Sequence, residues 1–155
     1  MRTLTVILLA GLLGGALPSA AQAQDFQAQL WDASISGDTV AIAQALDGGA
    51  KIDLLDTRTN QNGRRALNWA AFNNRGPAVR LLLARGASLN LTNISGFTPV
   101  HHAAEAGAVD ALNILIAAGA DLTIPNAQGR LPIDTARALE HVDAIRILEA
   151  AGKKP

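Results

Sequence analysis

The sequence predicts an all-α fold, a solenoid of about four stacked helix-turn-helix repeats joined by short hairpin loops. Three observations carry this expectation. Glycines recur on a fixed period: Gly63, Gly96 and Gly129 open three segments 33 residues apart, and Gly86, Gly119 and Gly152 close them at the same spacing. Within the segments an apolar stripe repeats at helical spacing, as Val79, Leu82 and Leu83, then Leu112, Leu115 and Ile116, then Ile145 and Leu148. Each helix spans roughly ten residues, below the ~12–15 at which an isolated helix holds in water, so every pair must bury its stripe on a neighbour.

The first 23 residues stand outside this pattern. Arg2 is a positive start, Val6 to Leu17 is an apolar run, and Ala21-Gln22-Ala23 has the A-x-A form of a cleavage site. Residues 1–23 therefore read as a secretory signal peptide, with the mature chain starting at Gln24 and residing in the bacterial periplasm or outside the cell. The run is too short for a membrane span, so no stable membrane anchor is expected. The chain has no cysteine, which excludes disulfides, a lipid-modified cysteine and thiol catalysis. Its formal net charge is +0, which gives no pull toward nucleic acid. Aromatic residues are 3% of the chain, so the core must be Ala, Leu, Ile and Val. Small interior residues suit closely stacked helices and leave no cofactor pocket; no cofactor is expected.

Residues 24–155 form one predicted domain with repeats at about 26–53, 60–90, 93–123 and 126–152. In the first, Leu30, Trp31 and Ala33 make one stripe, and Ile42, Ala45 and Leu46 the other. Asp25, Asp32, Asp38, Asp47 and Asp53 give this terminal repeat a polar outer face. The connection to Gly63 is four residues longer than its counterpart, the excess lying in the polar stretch Asp56 to Asn62. Such an insertion is either a binding loop or neutral drift. The second repeat departs furthest from the pattern. Arg65-Ala66 stands where the third repeat has Thr98-Pro99, losing a side-chain cap; Asn74 stands where it has Gly107; Gly76-Pro77 interrupts the stripe and restarts the helix. In the third repeat Thr98 caps, Pro99 suits the first helical position, and Gly107 supplies the left-handed end. In the last, Glu149 replaces a stripe residue, and Asp143 and Arg146 are polar, as a water-facing terminal helix requires.

The stretches Thr98-Pro99-Val100-His101, Gly119-Ala120-Asp121-Leu122 and Gly86-Ala87-Ser88-Leu89-Asn90, with the 33-residue period, resemble the ankyrin-repeat family over about four fifths of the chain. The resemblance implies that His101 is structural, bonding within the repeat turn. It also implies a protein partner bound through the loop tips and the exposed side of the first helices. Carried over by position, this gives Arg64, Phe97 and Arg130 after the opening glycines, Gln61, Ser95 and Gln128 beside the tips, and Phe72, Asn73, Glu105 and Ala106 at first-helix ends. Phe97 either meets a partner or packs on Arg64 or Arg130; Trp69 is read as core.

Chemistry is sparse. The histidines are His101, His102 and His141, without a metal-binding spacing, and no nucleophile–base constellation occurs, so neither a catalytic nor a metal site is expected. Thr98 and Asp110 read as helix caps. From Thr57 to His102 no acidic residue occurs, yet Arg58, Arg64, Arg65, Arg75, Arg80 and Arg85 do. These arginines either steer an acidic partner or pair with the aspartates of the first repeat. The reading is a monomeric, non-catalytic module that docks on another exported protein, with no nucleic acid, to protect or scaffold it. Its alternative is an immunity or inhibitor protein capping a toxin or enzyme. The partner-contacting residues expected are Arg58, Gln61, Arg64, Phe72, Asn73, Phe97, Glu105 and Arg130.

Overall fold

The computed structural model describes residues 19–58 and 62–153. Among them the chain forms α1 (Ala20–Ser36), α2 (Thr39–Asp47), α3 (Ala66–Phe72), α4 (Gly76–Ala84), α5 (Pro99–Ala106), α6 (Val109–Ala117), α7 (Pro132–Ala138) and α8 (Val142–Gly152). The odd-numbered helices pack side by side in one layer and the even-numbered in a second, each pair closed on itself. This is the stacked helix-turn-helix architecture that the period demands. Residues 1–18 of the expected signal peptide lie outside the described residues. α1 starts at Ala20, on a Ser19 cap, and runs through Ala23; its buried residues Gln27, Leu30, Trp31, Ala33 and Ser34 all follow that point.

The core is aliphatic and small, as the composition requires. Leu30, Ile42, Val79, Leu82, Val100, Leu112 and Leu115 are fully buried. So are Ala70, Ala71, Ala103 and Ala104, whose lack of bulk lets neighbouring helices of the first layer approach. Thr98 accepts the His101 N–H, Pro99 begins α5, and Gly107 ends it at φ 62°. Gly152 differs from expectation: it lies within α8, whose bonding continues to Lys153 without a left-handed turn.

The second repeat replaces what it lacks. Arg65 offers no capping acceptor, but Asn68 Oδ1 accepts the Arg65 N–H at 3.0 Å. The equivalent bonds run from Thr98 N–H to His101 Nδ1 (3.2 Å) and from Leu131 N–H to Asp134 Oδ2 (3.0 Å), one job done by three chemistries. Asn74 adopts φ 53°, as the glycine substitution requires. Its Oδ1 also accepts the Ala111 N–H at 3.0 Å, capping α6 of the next repeat, whose own N-cap is Ala108. The expectation that Asp110 caps is thereby corrected: it sits exposed in the first turn of α6, where its charge suits the helix dipole, while the bond comes from Asn74.

The hairpin tips are bonded closed and then to one another. Asn93 N–H donates to the Phe97 carbonyl and Asn126 N–H to that of Arg130, both at 2.9 Å; Asp56 and Arg64 exchange two backbone bonds across the longer tip. Ile94 N–H reaches the Asn62 carbonyl and Ala127 N–H that of Ser95, both at 3.0 Å, so successive tips form a continuous row. Gly96, at φ 77°, passes so close that an added Cβ would meet Ala127 N at 2.7 Å.

Candidate protein-interaction face

The row of tips and the outer side of α1, α3, α5 and α7 form the face that the sequence assigns to a partner. Much of its charge is engaged within the chain. Asp56 is fully buried; its carboxylate receives Arg58 Nε (2.9 Å), the Arg58 backbone N–H (3.1 Å) and Trp69 Nε1 (3.1 Å). Burial alone would raise its pKa, but the Arg58 bonds outweigh it and hold the carboxyl below its ordinary value. Arg58 also reaches Asp32 at 2.8 Å and lies over the Trp31 ring, and Arg85 pairs with Asp47 at 2.8 Å. Arg65 donates to the backbone carbonyls of Asp53 and Thr92, stapling three repeats, and Arg75 to that of Ile35. Of the two roles open to these arginines, internal pairing is therefore the one realised for Arg58 and Arg85, while Arg80 stands exposed. Asp53 is likewise drawn inward, accepting the backbone N–H and hydroxyl of Ser88 instead of solvating an end face.

Arg64 is not the open tip residue expected. Its side chain is 14% exposed, lies 4.7 Å from the Trp69 ring and 4.0 Å from that of Phe72, and approaches Glu105 at 3.4 Å. Tip position put it near the surface, but two aromatic faces and a carboxylate gather it in. Phe97 is half-buried, its ring packed on His101 and His102 at ring distances of 5.3 and 5.4 Å. Asn73 ends α3, its amide donating to the Trp69 carbonyl. Trp69 is buried, as expected. Arg130 and Gln128 stand exposed, and Gln61 lies outside the described residues. Phe72, Arg64, Phe97 and Glu105 are thus brought into one neighbourhood across the second and third repeats, Arg58 lies against the first repeat, and Arg130 sits one tip further on.

Two further residues stand out on this face, one with no expected role and one named only among the histidines. Ile94 is 65% exposed at the third-repeat tip; an isoleucine between turn residues Asn93 and Ser95 was the available signal. His102 is 3% exposed, its Nδ1 3.1 Å from Glu105 Oε2, and its Nε2 has no partner. Its neighbours Phe97 and Glu105 lie in its own repeat, and Arg64 reaches it from the second. His101 has the structural role expected: Nδ1 takes the Thr98 N–H and Nε2 donates to the Arg130 carbonyl at 3.1 Å, tying two repeats. Burial lowers the pKa of both imidazoles. His141 Nε2 meets the Glu105 carbonyl at 3.0 Å, apart from the other two. Among the described residues no group of three or more His, Cys, Asp or Glu could hold a metal ion, and no helix is long and apolar enough to cross a membrane.

Stacked helix pairs presenting a bonded row of hairpin tips define a helical-repeat binding scaffold. Residues 30–126, more than half of the chain, match the family profile of ankyrin repeats in three copies, and the chain belongs to the ankyrin-repeat family. Ankyrin repeats are protein–protein interaction modules, generally without catalysis. Similar proteins include an ankyrin repeat domain-containing protein, SAT10, of Stachybotrys chartarum, 33% identical over 84 residues, which are 54% of this chain and 4% of that protein. The palmitoyltransferase AKR1 of Lachancea kluyveri is 35% identical over 98 residues, 60% of this chain and 12% of that protein. The chain thus spans only a small part of these much longer relatives.

Proposed function

We propose that this chain is exported to the bacterial periplasm or beyond and docks there on another exported protein, protecting or scaffolding it. The observation that carries the docking is the row of tips bonded edge to edge, with Ile94 and Arg130 exposed and Phe97 half-exposed upon it. A surface fixed before contact loses little ordering entropy on binding, and aromatic, arginine and aliphatic groups on such a surface supply affinity. Export is supported by the leader-like first 23 residues and by the placement of every buried α1 residue after Ala23, so that among the described residues cleavage there would remove only exposed and half-buried positions.

The test has two arms. N-terminal sequencing of the protein from a periplasmic fraction is expected to begin at Gln24; an intact Met1 in the cytoplasm refutes export. Capture of a partner from periplasmic extract is expected to fall at least about ten-fold in Ile94→Asp and Phe97→Ala chains, and to be unchanged in Arg146→Ala, which alters the exposed side of α8. Equal capture by all three would refute docking on the tips. Assaying the captured protein with and without this chain separates scaffolding from inhibition.

A further inference from the structure

Between the second and third tips lies a recess of about 150 Å³ walled by Arg64, Ser95, Phe97, His102, Glu105 and Gln128, among others. Its hydrogen-bonding state follows from the charges. The Glu105 carboxyl is held below its ordinary pKa by the His102 bond, with Arg64 adding to the effect, and is ionised near neutral pH. An ionised carboxylate only accepts, so His102 Nδ1 carries the hydrogen between them. Burial keeps the imidazole neutral, which leaves Nε2 a bare acceptor, and that atom is sealed from solvent without a donor. The equivalent places in the neighbouring repeats are occupied by Trp69, whose N–H is taken by Asp56, and by Thr135, whose hydroxyl lies within reach of the Leu131 carbonyl. Of the three, His102 alone holds an unmatched buried acceptor, a state that is unfavourable until a donor reaches it.

Beside it lies the Arg64 guanidinium, placed over two rings, its one ion pair a single contact at 3.4 Å that leaves other N–H donors unspent. The charges of Arg64 and Glu105 offset one another. The recess therefore suits a neutral group that donates on one side and accepts on the other, and its volume matches the end of one polar side chain. We propose that this recess is a socket for a primary carboxamide, the side-chain end of an asparagine or glutamine on the partner protein. The amide N–H would meet His102 Nε2 and the carbonyl would meet Arg64. Because Nε2 is sealed in the free chain, the proposed bond requires the Phe97 ring, 5.4 Å from that of His102, to turn aside. This rests on the docking reading and adds to it the chemistry of one contact.

The experiment uses the full chain labelled with 15N-histidine and the probe N-acetyl-glutamine methylamide, with its norleucine counterpart as control. The His102 ring is expected to show an unprotonated Nε2 whose resonance moves saturably with the glutamine probe and stays fixed with norleucine. Arg64→Met, which keeps an apolar stem over the rings and removes the donors, is expected to weaken the probe by about ten-fold at unchanged circular dichroism. A protonated Nε2, no movement at the solubility limit of the probe, or equal movement with norleucine would overturn the socket. Because the probe replaces the partner, such a failure leaves docking through Ile94 and Phe97 untouched, and failed capture in the docking test leaves the socket result standing.

Discussion

Asn68 and His101 occupy the same place in successive repeats, and the difference between them is one of reach. Both accept the N–H of their helix N-cap. His101 also spans to the Arg130 carbonyl, whereas the Asn68 amide nitrogen is buried without a partner. The carbonyl matching that of Arg130 belongs to Phe97, and Asn68→His is expected to reach it. Replacing an orphaned donor with a made bond should raise the urea unfolding free energy by about 0.5–1.5 kcal/mol; an unchanged or lower midpoint contradicts this. The histidines also set a pH dependence. The folded pKa values of His101 and His102 lie below the ordinary 6.5, so the unfolded chain takes up protons first as pH falls. Their stabilisation is complete above about pH 6.5 and lost on acidification below it, with Glu105 and Asp56 adding a second loss in the carboxylate range. Urea midpoints measured from neutrality down to pH ~5 should decline, and a flat profile would exclude the effect.

At the scale of the element, the helices are short and depend on bonds supplied by other elements. α6 has no side-chain cap of its own; Asn74, ending the turn after α3, supplies it while holding φ 53°. The two duties can be separated. Asn74→Gly keeps the backbone and loses the cap, and is expected to cost about 1 kcal/mol; Asn74→Ala loses both and is expected to cost about 1–2 kcal/mol more. Thermal unfolding of the pair measures the difference; equal costs would show that the left-handed backbone carries no penalty, and an Asn74→Gly chain as stable as the wild type would show that the bond to Ala111 contributes nothing. The tips obey the same logic. Gly96→Ala is expected to destabilise by at least about 1–2 kcal/mol from its left-handed backbone, and further because its Cβ would push Ala127 out of the row.

For the whole molecule, stability is a sum over neighbours stacked in one dimension, so position in the array matters as much as residue type. Leu112 and Leu148 are both buried leucines on second helices, one inside the array and one at its last described pair. Truncation of either to Ala removes about 2–5 kcal/mol of packing. Leu112→Ala is expected to raise hydrogen exchange on both sides of α6, whereas Leu148→Ala is expected to loosen α7 and α8 alone. Identical exchange patterns would mean that the array opens as a single unit.

The period, the apolar stripes and the glycine punctuation are local properties of the chain, so residues such as Gly107, Thr98 and Leu112 announce their own roles and with them the fold. The cap that Asn74 gives α6, the burial of Asp56 between Arg58 and Trp69 and the inward turn of Arg64 are different in kind. Each joins groups from separate repeats or from opposite sides of the longer tip, and such encounters depend on how side chains fill the space between stacked units, which no spacing along the chain encodes. Periodicity along the chain is enough to dictate a pile of paired helices whose tips face outward. Which charges are consumed inside it and which polar groups are left waiting depends on stacking, because desolvation and pairing are settled by neighbours that meet only once the repeats have packed.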